Sequence, residues 1–111
     1  MWLMSTAGFY SVVEHRRDPG RLIVRARTES DIEALREWIS GVEPYSDGGA
    51  DYHWRAVVTR AEWVAAVAQM IVEIDYPNFK TAVAQRQGSE RAGLYGEVWR
   101  ILYGLQEDAE G

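Results

Sequence analysis

Cysteine is missing from this chain of 111 residues, and lysine nearly so, with Lys80 alone beside eleven arginines. Without thiols there are no disulfides, no thiolate metal sites and no cysteine nucleophile, which points to a reducing cytoplasmic setting. Histidine is scarce too: His15 and His53 are the only two. A metal site needs about three converging ligands, and Glu14 and His15 are neighbours that a strand would turn to opposite faces, so no metal is expected. No apolar run approaches the ~20 residues of a membrane-crossing helix, so no membrane association is expected. The apolar start Met1-Trp2-Leu3-Met4 has no basic flank and is broken by Ser5, Thr6 and Gly8, which reads as a short strand and not as a signal peptide. Phosphate-cradling glycine loops, glycine-flanked serine nucleophiles and His-Glu helix pairs are all absent, so no cofactor and no catalytic residue is implied.

What remains is the composition of an ordinary globular domain, 47% hydrophobic and 26% charged. The net charge of −5 is unevenly spread. Residues 1–27 carry five arginines against Glu14 and Asp18, and everything beyond is acidic. That balance disfavours wholesale nucleic-acid binding and leaves room for one basic face.

Aromatic and β-branched residues mark a strand at Phe9–His15 and period-two alternation marks one at Leu22–Arg27, separated by the turn signal Asp18-Pro19-Gly20. Ser30-Asp31-Ile32-Glu33 matches a capping box and predicts helix 1, with Ile32, Leu35, Trp38 and Ile39 on its buried stripe and Gly41 as its end. Glu43–Ala50 reads as a turn-rich flexible loop, and Tyr52, Trp54, Ala56 and Val58 as the inner face of a last strand. A second capping box, Thr59-Arg60-Ala61-Glu62, opens helix 2, with Trp63, Val67, Met70, Ile71 and Ile74 expected inward. Pro77 fits a corner into helix 3, Gly88 breaks it, and a last helix from Ser89 is expected to bury Leu94, Tyr95, Val98, Trp99 and Leu102.

These elements predict a single α+β domain over residues 1–106, followed by an acidic tail at 107–111. The expected architecture is a two-layer sandwich with a mainly antiparallel sheet, made of an N-terminal meander and one strand after helix 1, and three to four helices packed on one face. A right-handed helical crossover is expected to lead into the last strand, beside either strand 3 or strand 1. Gly8–Val13, Ile23–Arg27, Asp51–Arg55, Ile74–Lys80 and the Val98-Trp99 end resemble a family of small bacterial and phage-borne proteins. The resemblance implies a shared compact domain and supplies no catalytic residues.

Arg25 and Arg27 on one strand and His53 and Arg55 on another are the strongest candidate site, since alternation places all four on one sheet face. Guanidinium groups there would take phosphates or carboxylates, with Tyr10 or Tyr52 available to stack a base. The plainer alternative is a solvated face whose arginines lie over aromatics or pair with Glu29, Asp31 or Asp51. Five tryptophans and six tyrosines exceed what a small core needs. Trp38, Trp63 and Trp99 are expected inside, whereas Trp2, Tyr45, Tyr76 and Tyr103 are left for a contact patch. The expected function is a non-catalytic interaction or regulatory module binding a protein partner or a second copy of itself. Nucleic-acid binding by Arg25, Arg27 and Arg55 is the alternative, and acid-base chemistry by Asp47, Asp51 and His53 the third reading.

Overall fold

A computed structural model describes residues 1–106, so the predicted acidic tail lies outside the described residues. The chain forms two compact units, Met1–Asp75 and Tyr76–Gly111. The first holds a five-stranded, wholly antiparallel sheet, and the fold is α+β. Its strands are β1 (Trp2–Met4), β2 (Phe9–Glu14), β3 (Arg21–Ala26), β4 (Tyr45–Ser46) and β5 (Trp54–Thr59), in the spatial order β1-β2-β3-β5-β4.

Strand β5 lies beside β3 and runs antiparallel to it, pairing Arg21 with Thr59 through to Ala26 with Trp54. The expected right-handed crossover is therefore absent: its handedness follows from returning to a parallel strand, and this chain returns antiparallel. Inside the stretch read as a flexible loop, Tyr45 and Ser46 form β4, an edge strand on β5. Two residues are too few to show periodicity.

One sheet face carries the core. Tyr10, Val12, Leu22, Val24, Ala26, Ala56 and Val58 alternate inward and meet Ile32, Leu35, Ile39 and Val42, with Trp63 and Ala66 beside them. Helix α1 (Glu29–Ala34), continued by a 3₁₀ turn at Leu35–Glu37, packs on β3 and β5, as does α2 (Arg60–Val72). The α1 cap is Thr28 and not Ser30: the Thr28 hydroxyl accepts from the Asp31 N–H, and Ser30 lies within the helix. Glu33 is instead engaged by Arg36 at 2.6 Å. Helix α2 opens on the predicted capping box, with Glu62 N–H donating to the Thr59 hydroxyl at 3.0 Å and Thr59 N–H to the Glu62 carboxylate at 2.7 Å.

The shift of the first cap has a cause. Asp31 is buried, its carboxylate accepting from the Phe9 N–H at 3.1 Å, while its carbonyl accepts from the Tyr10 hydroxyl at 2.8 Å. This fixes the start of β2 to the start of α1. Gly8 lies against the same pair, and a Cβ there would stand 2.8 Å from Asp31 Cγ and 2.9 Å from the Tyr10 hydroxyl.

The β2–β3 turn is held by Asp18, whose carboxylate accepts from Gly20 N–H and Arg21 Nε, both at 2.9 Å. The Gly20 bond, and after it the Arg21 bond, hold its pKa below the ordinary carboxylate value. A depressed carboxyl stabilises the fold above its unfolded pKa, and that contribution is lost as pH falls through the folded one.

The second unit contains α3 (Phe79–Gln87) and α4 (Ser89–Leu102), packed on each other. Asn78 caps α3, accepting from the Thr81 N–H, and Gly88 at φ +100° is the single residue between the helices. Val83 is buried, and Phe79 stacks on Tyr95 with ring centroids 5.9 Å apart and planes 3° from parallel. Contrary to expectation, Leu94, Trp99 and Leu102 are exposed; of the residues expected inward on α4, Tyr95 is the one that is buried. Of the tryptophans expected inside, Trp63 is buried and Trp38 half-buried.

Three outcomes follow from these anchors. Gly8→Ala should destabilise by about 1–3 kcal/mol in urea unfolding, because both atoms it meets belong to the buried Asp31–Tyr10 pair. Thr59→Ala should cost about 1 kcal/mol through loss of the α2 cap. The destabilisation caused by Asp18→Asn should be measurable at neutral pH and shrink in acid, where the wild-type carboxyl is protonated.

Candidate functional site

The sheet face away from the core is built by the odd-numbered residues of β2, β3 and β5, and the register lines them up in rows. One row crosses all five strands: Trp2 opposite Ser11, Ser11 opposite Arg25, Arg25 opposite Arg55, and Arg55 opposite Tyr45. A shorter aliphatic row runs beside it, Val13–Ile23–Val57. Trp2 is 73% exposed and Tyr45 42%, so the two aromatic ends of the long row stand open. The Trp2 ring meets Phe9 edge-on at 5.6 Å, which fixes one of those ends.

Directly opposed like charges destabilise a sheet, so the Arg25–Arg55 pair needs an account. Arg25 donates through Nη2 to the Ser11 hydroxyl at 2.6 Å and through Nε to the Ser11 carbonyl at 3.4 Å. Arg55 donates through Nε to the Tyr52 carbonyl at 3.4 Å. Arg27, one residue past the end of β3, donates through Nη1 to the Asp51 carbonyl at 2.6 Å. The guanidinium carbons of Arg25 and Arg27 lie 4.9 and 4.2 Å from the centre of the Tyr52 ring.

Three arginines thus converge on Tyr52 and its neighbour. Their partners are carbonyls, a hydroxyl and a π face, and among the described residues no carboxylate lies within ion-pairing distance of any of them. Cation–π contacts and neutral acceptors orient guanidinium groups without cancelling their charge. The cluster brings together three guanidinium groups with no carboxylate partner among the described residues.

Several expectations are corrected. Tyr10 is fully buried on the core face with its hydroxyl bound to Asp31, and Tyr52 is 4% exposed beneath the arginines, so neither is free to stack a base. Arg27 meets Asp51 through a backbone carbonyl, and the Asp51 carboxylate caps the N–H of Tyr52 at 2.9 Å. The Asp31 carboxylate holds the Phe9 N–H. His53 is exposed in the β4–β5 loop, where its carbonyl accepts from the Asp47 N–H at 2.8 Å, so it joins the loop and not the strand row. Tyr76 belongs to the second unit, where it packs against Phe79 at 6.1 Å.

The third reading finds no support. Asp47, Asp51 and His53 sit on an exposed loop, and a cavity of about 310 Å³ lies elsewhere, lined by Met1, Val12, Leu22, Trp63 and Val64 among others. Among the described residues no three His, Asp or Glu side chains are grouped to hold a metal ion, and no helix is long and apolar enough to cross a membrane. His15 is used in its turn, with Nδ1 accepting from the Arg17 N–H at 3.2 Å.

Sequence reading missed Ser11 and the place of Trp2. Both follow from parity once β1 and β2 are paired, but the pairing itself is not written in composition.

Tyr52 is the test of this geometry. Tyr52→Ala should cost about 3 kcal/mol in urea unfolding, as for other buried aromatics. Tyr52→Leu, which keeps apolar volume and removes the π face, should still cost about 1 kcal/mol or more from the two lost guanidinium contacts. Compared with models of protein families, with curated proteins and with solved structures, the chain matches none.

Proposed function

We propose that the chain is a non-catalytic interaction module that binds an anionic protein partner on the open face of its sheet. The observation that carries this reading is the row Trp2–Ser11–Arg25–Arg55–Tyr45, which sets exposed aromatics at both ends of an arginine pair lacking carboxylate partners among the described residues. Trp, Tyr and Arg are the residues that anchor protein interfaces. The aliphatic row Val13–Ile23–Val57 beside it gives the centre of the face the apolar content of an interface core.

The same unneutralised arginines favour nucleic acid as a second reading. Two features count against it: the acidic net charge of −5, and the aliphatic row Val13–Ile23–Val57 beside the cluster, with Tyr52 already covered and the open aromatics, Tyr45 and Trp2, set apart at the two ends of the row. A single-stranded binder stacks bases along a basic groove, and aliphatic residues do not serve that purpose.

The two readings separate experimentally. For a protein partner, the double variant Arg55→Ala with Tyr45→Ala should weaken binding by about 30-fold or more, the effect of losing about 2 kcal/mol at a hot spot. Titration calorimetry with the captured partner measures it, and unchanged affinity would remove the sheet face from the interface. If a labelled single-stranded oligonucleotide binds instead, with log K falling against log salt at a slope of about −2 for three phosphate contacts, the second reading replaces the first.

A further inference from the structure

Helix α2 has no polar side broad enough to face water. Trp63 and Ala66 are buried, with Val67 and Met70 partly so, against the sheet. The opposite face is also apolar: Ala61, Val64, Ala65, Ala68, Ile71 and Val72 are all exposed, Val64 by 64%, Ile71 by 61% and Val72 by 75%. The polar side chains of the helix are Arg60, Glu62 and Gln69. A helix that is hydrophobic all round belongs in an interior, so the outer face of α2 needs a cover.

The pattern of that face specifies what covers it. Ala61, Val64, Ala68 and Ile71 follow one another at spacings of three, four and three, the seam of a two-stranded coiled coil, with alanine at one position of each heptad and a branched aliphatic at the other. A second copy laid antiparallel meets this seam with its own complement. Ala61 faces the partner's Ile71, Val64 faces the partner's Ala68, and the same two layers repeat across the two-fold axis. Every layer then combines one small and one large side chain, which packs without voids or clashes. A parallel pairing would stack alanine on alanine and leave gaps.

We infer that the chain forms a two-fold homodimer through the outer faces of two antiparallel α2 helices, with Val64 seated on the partner's Ala68. One helix face buries less than the roughly 1,200 Å² in total that marks stable complexes, so the dimer is a reversible one that depends on concentration. This inference does not rest on the sheet-face reading.

Two measurements on the full chain test it. In sedimentation equilibrium over about three decades of concentration, the mass should climb from 12.6 kDa toward twice that value. Ala68→Arg, a change at an exposed helical position, should hold the mass at the monomer value with an unchanged circular dichroism spectrum. A wild-type protein that stays monomeric throughout, or an Ala68→Arg variant that keeps its fold and still dimerises, overturns the proposal.

The absence of cysteine allows the register to be read separately. Ala61→Cys with Ile71→Cys should oxidise to a covalent dimer. Ile71→Cys alone should not, since the antiparallel register sets the two Ile71 positions about 15 Å apart along the axis. Efficient cross-linking through Ile71→Cys alone would overturn the antiparallel register.

Discussion

The first unit depends on one buried residue. Asp31 sits in the first turn of α1 with its carboxylate on the backbone N–H of Phe9 and its carbonyl on the hydroxyl of Tyr10. A buried carboxylate is tolerated when hydrogen bonds satisfy it, and leaving one unsatisfied costs more than most single contacts contribute. The helix therefore cannot move off the sheet without exposing a donor, an acceptor and a charge together. Gly8 is the steric counterpart: the approach is close enough that a methyl group would enter the space Asp31 and Tyr10 occupy. Tyr10 then spans the core to meet Trp63 edge-on at 6.0 Å, so the same anchor reaches α2. The register of β2 follows from it, and with the register comes the parity that puts Ser11 outside and Val12 inside.

That parity explains what the sequence made legible. Alternation in β3 and β5 identified the inner faces, and the Thr59–Glu62 box located the start of α2, because these signals are local and each is satisfied within a few residues. The signals that misled were local too, but tertiary bonds overrode them. Ser30 to Glu33 has the spacing of a capping box, yet burial of Asp31 against β2 moves the cap to Thr28, where the hydroxyl still reaches the Asp31 N–H. Tyr45 and Ser46 become a strand because β5 offers an edge, a fact about a segment eight or more residues away.

For the candidate site the outcome is similar. Arg25 and Arg55 were readable as sharing a face, but their direct opposition and the convergence on Tyr52 were not, since both require the β3–β5 register. Tyr52 illustrates the limit best. It was expected on the inner face of the last strand and is buried, but it precedes β5, lies outside the core cluster, and carries a pair of guanidinium groups over its ring. An aromatic in that position is a support for cations, which hydrophobic periodicity has no means of distinguishing from packing. Ile71 shows the converse: helical spacing placed it inward with Trp63, Val67 and Met70, but it is exposed, because the helix has two apolar stripes and the sheet covers the other one.

The two exposed surfaces of the first unit differ in a way that bears on how they work together. The sheet face mixes arginines with its aromatics and aliphatics, so it can remain hydrated. The outer side of α2 has no such charges along its centre and is the surface with the stronger drive to be covered. These surfaces lie on opposite sides of the core, because α2 packs on the inner face of the sheet and the arginine row stands on the outer one. Joining two copies of the first unit through α2 would therefore direct their arginine rows away from each other. On the proposed reading, such a dimer would present two identical binding faces. A partner with repeated acidic segments could then engage both, gaining avidity from the second contact without any change in the first, provided that its spacer spans the thickness of two sheets and two helices.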